Sequence, residues 1–445
     1  MAAVAHDSQY IQPEDGWATA PAVLAGIGAV LCLLISSNLL VAVGIPYTLP
    51  YGSFIAKLHP GTYFILAAFL LLLLRANPVT SMLRFARRRP AAMIFAAAVV
   101  VMSAYTVASY GLSGAAFLVD TLLAPALLAI VLDHASPRAR STLFSAVVGI
   151  MAINSVLGLM EIATQARLIP YMRGDQLIVE DYFRATALQG HPLSNSLRTL
   201  VVMLCALVMV GHRRSALFLT ALLFTSLLAF GSRTGLVMAV LLGAAWLVPR
   251  SWTDIRIHGL ATRKRISTGF ALLAGAAALG LFIAFGNLGE RIFSLLYFDQ
   301  SAQARVTALR AFSILSPSEL WFGMGPSKIE TVLFYLRQSS SVTDIENIWL
   351  VFTLQFGLLL TLMFAAALIL FLWALARRSP WPVVLATIGF AVFVLSNNSL
   401  ASKSQDMVVF VAAVMTAPAW ASREARIHRV QQFLAGRYAF PGSAA

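Results

Sequence analysis

Long apolar runs, interrupted at intervals by clusters of arginine, dominate the chain. Their lengths, about 17 to 25 residues, are what a bilayer core of about 30 Å requires of a helix. About twelve can be read from the pattern. They lie near 18–45, 61–75, 91–109, 114–132, 142–162, 193–211, 215–231, 234–249, 267–286, 350–375, 381–397 and 406–421. The second is short, and the tenth is long enough to include a surface half-helix. The pattern predicts an all-α polytopic membrane protein, one integral membrane domain over 1–445. Composition agrees: 59% of residues are hydrophobic and only 11% charged, outside the range of soluble globular domains.

The cationic clusters set the expected orientation. Arg84 to Arg89 hold "RFARRR"; Arg138 and Arg140, Arg213 and Arg214, Arg263 to Arg265, Arg377 and Arg378, and Arg423, Arg426 and Arg429 follow later spans. All fall on one side if both termini do too, and the positive-inside rule makes that side the cytoplasm. The net charge of +14 then reads as a topology signal. No soluble basic domain is present to engage nucleic acid. Residues 1–17 lack a basic n-region, so the first apolar run is expected to stay as an anchor. Cys32 and Cys205 lie in separate spans and read as packing residues.

The opposite face then carries the turn at Gly231 to Thr234, a loop at 163–192 and a large loop at 287–349, between the ninth and tenth spans. The cytoplasmic loops are too short for a nucleotide-binding domain. Within "FGSRTGLV", Arg233 sits at the outer end of the eighth span, where it can snorkel to the interface. Gly231 and Gly235 flank it and permit close approach of a ligand or another helix. Arg184, His191 and Arg198 come from the first loop and the sixth span; Arg291, Arg305 and Arg310 come from the large loop. Each alone suits a solvated charge. Several guanidinium forks facing one membrane cavity suit a phosphate clamp.

The strings "FRATALQGHPLSNSL" (183–197), "FGSRTGLVMAVLL" (230–242), "RVTALRAFSILSPSELWFGMGPSKIE" (305–330) and "DIENIWLVFTLQFGLL" (344–359) occur in that order. In order, spacing and topology the chain resembles the bacterial O-antigen ligase and polysaccharide polymerase superfamily, over roughly 140–400. The resemblance implies a lipid-donor (GT-C-like) glycosyltransferase architecture in the bacterial inner membrane, with the active site facing the periplasm. It implies a glycan donor on undecaprenyl pyrophosphate, a lipid-linked repeat-unit acceptor, membrane lipid as surroundings, and a flippase and chain-length regulator as neighbours. By motif, the family's pyrophosphate contacts fall on Arg233 and Arg305. Where the family usually has a histidine before the asparagine ahead of the tenth span, this chain has Glu346 before Asn347. That substitution favours the exopolysaccharide polymerase branch over the ligases, whose members attach glycan to lipid or to a protein hydroxyl.

Transfer from a pyrophosphate requires charge stabilisation on the leaving group and removal of a proton from the acceptor hydroxyl. The chain has no Asp-x-Asp and no His/Cys cluster with metal-ligand spacing. The expectation is metal-independent, inverting single displacement needing no cofactor, in which Arg233 and Arg305, with Arg184 and Arg310, stabilise the leaving group. Glu346 is the expected general base, or else a cap for the tenth helix; His191 is second, or else a loop histidine capped against backbone ahead of Pro192. Asn347, Arg198 and Trp321 are candidates for acceptor binding or support. Asp120 and Glu161 are intramembrane acids with either functional or paired structural roles. A transporter that uses Asp120 and Arg198 as an ion path is the competing class; it should show related halves with broken helices, which the sequence does not display.

Overall fold

The computed structural model describes residues 16–49, 51–173, 176–178, 183–210, 215–247, 309–325, 328–329, 331–332, 334, 345, 347–397 and 399–438. The expected ninth span, most of the large loop, Arg291, Arg305 and Glu346 lie outside them.

The described chain is helical apart from one antiparallel hairpin of two-residue strands, β1 (Met172–Arg173) and β2 (Gln176–Leu177). The helices in chain order are α1 (Gly16–Leu34), α2 (Ser37–Ala42), α3 (Pro60–Leu74), α4 (Pro78–Arg88), α5 (Pro90–Tyr110), α6 (Ala116–His134) and α7 (Pro137–Thr164). There follow α8 (Pro192–Ala206), α9 (Ser215–Phe230), α10 (Arg233–Leu247), α11 (Pro317–Phe322), α12 (Ile348–Ala376), α13 (Trp381–Leu395) and α14 (Asp406–Tyr438). Among the described residues, five helices are individually long and apolar enough to cross a membrane, six if the bent pair α3–α4 counts as one. That makes the chain a membrane protein; among the described residues the full-length spans are fewer than the about twelve hydrophobic runs.

Two breaks interrupt the described runs, and the first accounts for part of the difference. The run at 18–45 does not form one helix: it stops at Leu34 and resumes at Ser37, because Ser36 caps α2 by accepting from the Leu39 N–H (3.1 Å) and Gln189 Nε2 donates to the Leu33 carbonyl (2.7 Å). The tenth run breaks at Gly357, whose φ of 78° and ψ of 168° divide α12 into an outer piece and a long inner helix. A side chain there would collide with the Trp321 carbonyl, so glycine is what lets α11 seat on the break. The Met324 N–H completes the seat on the Leu354 carbonyl (2.8 Å).

Apolar on every side, the first half of α14 is sheathed by α6, α7, α8 and α13, and Val408 to Val414 are buried throughout. Phe390 on α13 stacks on Phe410 of α14 with ring centres 4.0 Å apart. Among the described residues, the arginines at 84–89, 138–140, 377–378 and 423–426 gather at one end. Arg89 pairs with Asp133 (Nε to Oδ1, 2.8 Å), Arg423 reaches the Ser141 hydroxyl (3.4 Å), and α12 runs antiparallel to α5, with Phe371 stacked on Phe95 near that end. The described residues of the connections at 35–59, 165–191, 231–232 and 396–405 occupy the other end.

Candidate functional site

Between the α1–α2 break, the start of α8 and the segment that leads into α14 lies a polar cavity of about 190 Å³. It opens at the end of the bundle opposite the arginine clusters. Most of its wall is hydroxyl, amide or cationic: Ser36, Asn38, Gln189, His191, Ser194, Arg198, Asn397, Ser399, Lys403 and Gln405.

The walls are built by polar residues buried for the purpose. On α7, the Glu161 carboxylate accepts from the N–H groups of Leu168 (2.6 Å), Thr186 (2.7 Å) and Ala187 (2.9 Å), which folds the loop back over the helix ends. Asn154 accepts from Leu188 N–H (3.0 Å) and donates to Asn195 on α8 (2.8 Å); Asn195 donates to the Thr186 carbonyl (2.5 Å). Asn38 donates to the Gly190 (2.6 Å) and Pro170 (3.2 Å) carbonyls from the opposite wall. The third wall is tied to α6, where Thr121, in a π-helical turn, donates to the Ser402 carbonyl (3.0 Å) and accepts from the Ser404 N–H (3.1 Å). Gln405 donates to the Tyr47 hydroxyl (3.0 Å).

Charge within the cavity is partly matched. Arg198 Nε donates to Asp406 Oδ1 at 2.7 Å, both side chains buried, and Ser194 donates to Oδ2 at 3.3 Å. Lys403 donates to the Tyr47 (2.5 Å) and Lys57 (2.6 Å) carbonyls and stands over the Tyr47 ring at 4.4 Å. Its burial pulls the ammonium down to about 8; the Asp120 charge opposes the shift and the Lys57 charge adds to it. The N-termini of α8 and α14 both end here, adding the positive ends of two helix dipoles. Three buried wall atoms have no partner among the described residues: Gln189 Oε1, Asn397 Nδ2 and Ser399 Oγ. Left unpaired, each costs about 1–3 kcal/mol, so the cavity calls for a polar occupant.

His191 caps α8: its Nδ1 accepts from the Leu193 N–H (3.2 Å), and its Nε2 stands 3.4 Å from the Tyr171 hydroxyl. A neutral imidazole that accepts at Nδ1 carries its proton on Nε2. In this state it is a donor toward the Tyr171 hydroxyl, and its Nδ1 lone pair is taken by the cap. Burial lowers its pKa to about 4, helped by the Arg184 and Arg198 charges and opposed by Asp406. Arg184 therefore lies within electrostatic reach of the cavity, on the strand of backbone that Ala185 ties to the Ala229 carbonyl (3.1 Å).

Arg233 opens α10 and is half-buried. The adjacent Gly235 is where helices close in: a Cβ there would stand 3.2 Å from Phe393 on α13 and 3.3 Å from Ser196 on α8. The glycine thus serves helix packing, two residues along α8 from Arg198. Arg310, Trp321 and Asn347 lie outside the cavity lining, on segments that pack about the outer piece of α12. Arg310 is exposed, Trp321 is 51% exposed, and Asn347 caps α12 by accepting from the Trp349 (2.9 Å) and Leu350 (3.1 Å) N–H groups. The cap of that helix is therefore Asn347, where Glu346 was the residue considered.

Asp120 does not pair with Arg198. Its two oxygens accept from the His59 N–H at 3.1 and 3.0 Å, fixing the start of α3. Cys32 and Cys205 are free and buried, and Cys32 donates to Gln405 Oε1 (3.4 Å). Among the described residues, no three His, Cys, Asp or Glu side chains converge as metal ligands.

Lys403, Asp406, Asn397 and Ser399 were not picked out in the sequence. One signal was available: a buried arginine within an apolar run requires a carboxylate partner, and Asp406 opens the last apolar run. The chain matches no protein-family model and no curated protein sequence.

Proposed function

We propose that the chain is a membrane glycosyltransferase that polymerises undecaprenyl-pyrophosphate-linked oligosaccharide repeat units into exopolysaccharide or O-antigen-type chains. The observation that carries this reading is the trio of unpartnered wall atoms, Gln189 Oε1, Asn397 Nδ2 and Ser399 Oγ, beside Lys403 and under two helix N-termini. Acceptor, amide and hydroxyl groups suit sugar hydroxyls; the ammonium and the helix ends suit phosphate oxygens. A cavity of this volume takes one such moiety, the remainder of the substrate lying along the membrane. The opposite placement of the arginine clusters supports an inner-membrane orientation with both termini cytoplasmic and the cavity toward the periplasm.

In the reaction, the acceptor hydroxyl oxygen forms a bond to the anomeric carbon as the bond from that carbon to the pyrophosphate oxygen breaks. The electron pair leaves with undecaprenyl pyrophosphate, and the acceptor proton passes to a base. One displacement inverts the anomeric centre. Arg233 and Arg305 are assigned to the leaving pyrophosphate, with Lys403 in support; Arg184 acts on the potential at the cavity. Preorganised cations need not reorient as charge develops. Glu346 is assigned as base, and His191 as the cap of α8 that holds the cavity wall. The proposal needs no metal.

Deleting the gene tests the reading through the lipid-linked pool. Single repeats accumulating on the carrier, cleared by the wild-type gene and not by Arg233→Ala or Lys403→Met, are expected. Finished chains left on the carrier would instead assign a ligase, and an unchanged pool would remove the enzyme reading.

A further inference from the structure

We propose that a second cavity, at the arginine-rich end between α1, α3, α4 and α6, binds the phosphate of an anionic phospholipid. Its volume is about 320 Å³, and Arg75, Ala76, Ser81, Arg84 and His134 line it. No part of the glycan-transfer reading uses it.

Arg75 caps the end of α3 and Arg84 projects from α4. Neither forms an ion pair among the described residues, since Asp133, the acid beside His134, is taken by Arg89. His134 Nδ1 donates to the Ile130 carbonyl (2.9 Å), and its Nε2 is buried without a partner. An edge contact with Phe85 at 5.2 Å fixes the ring. Two exposed guanidinium groups with no ion pair among the described residues face one cavity, and guanidinium forks match phosphate oxygens; with Nδ1 donating, His134 Nε2 is an acceptor and suits a headgroup hydroxyl beside that phosphate.

The surroundings identify the source of that phosphate. α4 turns 109° from α3, so it runs across the bundle end. One of its faces is buried through Ser81 and Phe85; another exposes Val79 (67%), Met82 (39%) and Leu83 (56%). Arg84, Arg87 and Arg88 fill the remaining arc. A helix with that division lies in the membrane interface, its apolar face among acyl chains and its basic arc at headgroup depth. The exposed Leu71 and Leu74 of α3 continue the apolar surface past the cavity. Phosphate with attached acyl chains uses all of these features; free phosphate uses only the cavity. Arginine-rich membrane faces attract anionic lipid.

Native mass spectrometry of the full chain, titrated with phosphatidylglycerol or phosphatidylcholine, tests this. The expected result is one phosphatidylglycerol retained at least about tenfold more strongly than phosphatidylcholine, lost in Arg75→Gln/Arg84→Gln and kept in Arg87→Gln/Arg88→Gln. Equal loss in both double variants would reduce the effect to general interfacial charge and overturn the site. Displacement of the lipid by low-millimolar inorganic phosphate would assign free phosphate instead. Should the cavity variant not fold, Ala76→Cys in vesicles gives the same answer: slower maleimide labelling in phosphatidylglycerol than in phosphatidylcholine supports the site, and equal rates overturn it.

Discussion

Arg198 on α8 and Asp406 at the start of α14 stand 208 residues apart in sequence and 2.7 Å apart in space, both side chains buried. Removing one partner from such a pair leaves the other charged and desolvated, at a cost of about 3–5 kcal/mol. Asp406→Ala should lower stability by about that amount in denaturant or thermal unfolding of the purified protein. Arg198→Met/Asp406→Leu, which removes both charges, should recover most of it. An Asp406→Ala protein as stable as wild type would show that the pair holds nothing.

His191 separates capping from base catalysis. Asn can cap a helix and cannot act as a base, so His191→Asn should keep most transfer activity, whereas His191→Ala should cost about 1 kcal/mol of stability. With burial holding the imidazole near 4, the rate profile between about pH 5 and 8 should carry no His191 titration. Abolished transfer in a folded His191→Asn would return the residue to the base role.

Lys403 predicts a pH dependence whose sign follows from its environment. Its ammonium loses the proton around 8, below the ordinary 10.5. Binding of an anionic substrate should therefore weaken as pH rises through about 8, and remain intact below it. Lys403→Arg should carry binding through that interval, and Lys403→Met should abolish the step along with most of the affinity. Pyrophosphate-lipid binding measured against pH checks all three.

At Gly357, positive φ and contact with the Trp321 carbonyl both exclude a side chain. Gly357→Ala should cost about 1–3 kcal/mol and release α11, seen as faster protease cleavage near 315–325 with the transmembrane core intact. Unchanged cleavage would mean that the α11 seat does not depend on the break.

Hydrophobic periodicity made the helical class legible, because a run such as 137–164 has no soluble reading. It could not locate the breaks. Ser36 and Gly357 change hydropathy hardly at all, and their effect arises from hydrogen bonds and collisions with segments far along the chain. The loop chemistry was half legible for a similar reason. His191 and Arg198 stand out as polar residues beside an apolar run, and the cavity contains both. Lys403 and Asn397 sit in an unremarkable polar connection, and only the fold carries them to the wall opposite. Asp120 and Arg198 stand out as lone charges in apolar runs, but hydropathy does not show their partners: the His59 N–H for one and Asp406 for the other.

The central claim is that the polar cavity holds the head of a pyrophosphate-linked glycan. Its most direct test is the affinity of the purified protein in nanodiscs for undecaprenyl pyrophosphate bearing one repeat unit, in wild type and in Lys403→Met/Asn397→Leu. A hydrogen bond to a charged group is worth about 1.5–3 kcal/mol, and about 1.4 kcal/mol is tenfold in Kd. The account predicts a loss of at least about tenfold in the variant; equal affinity in both proteins would contradict it.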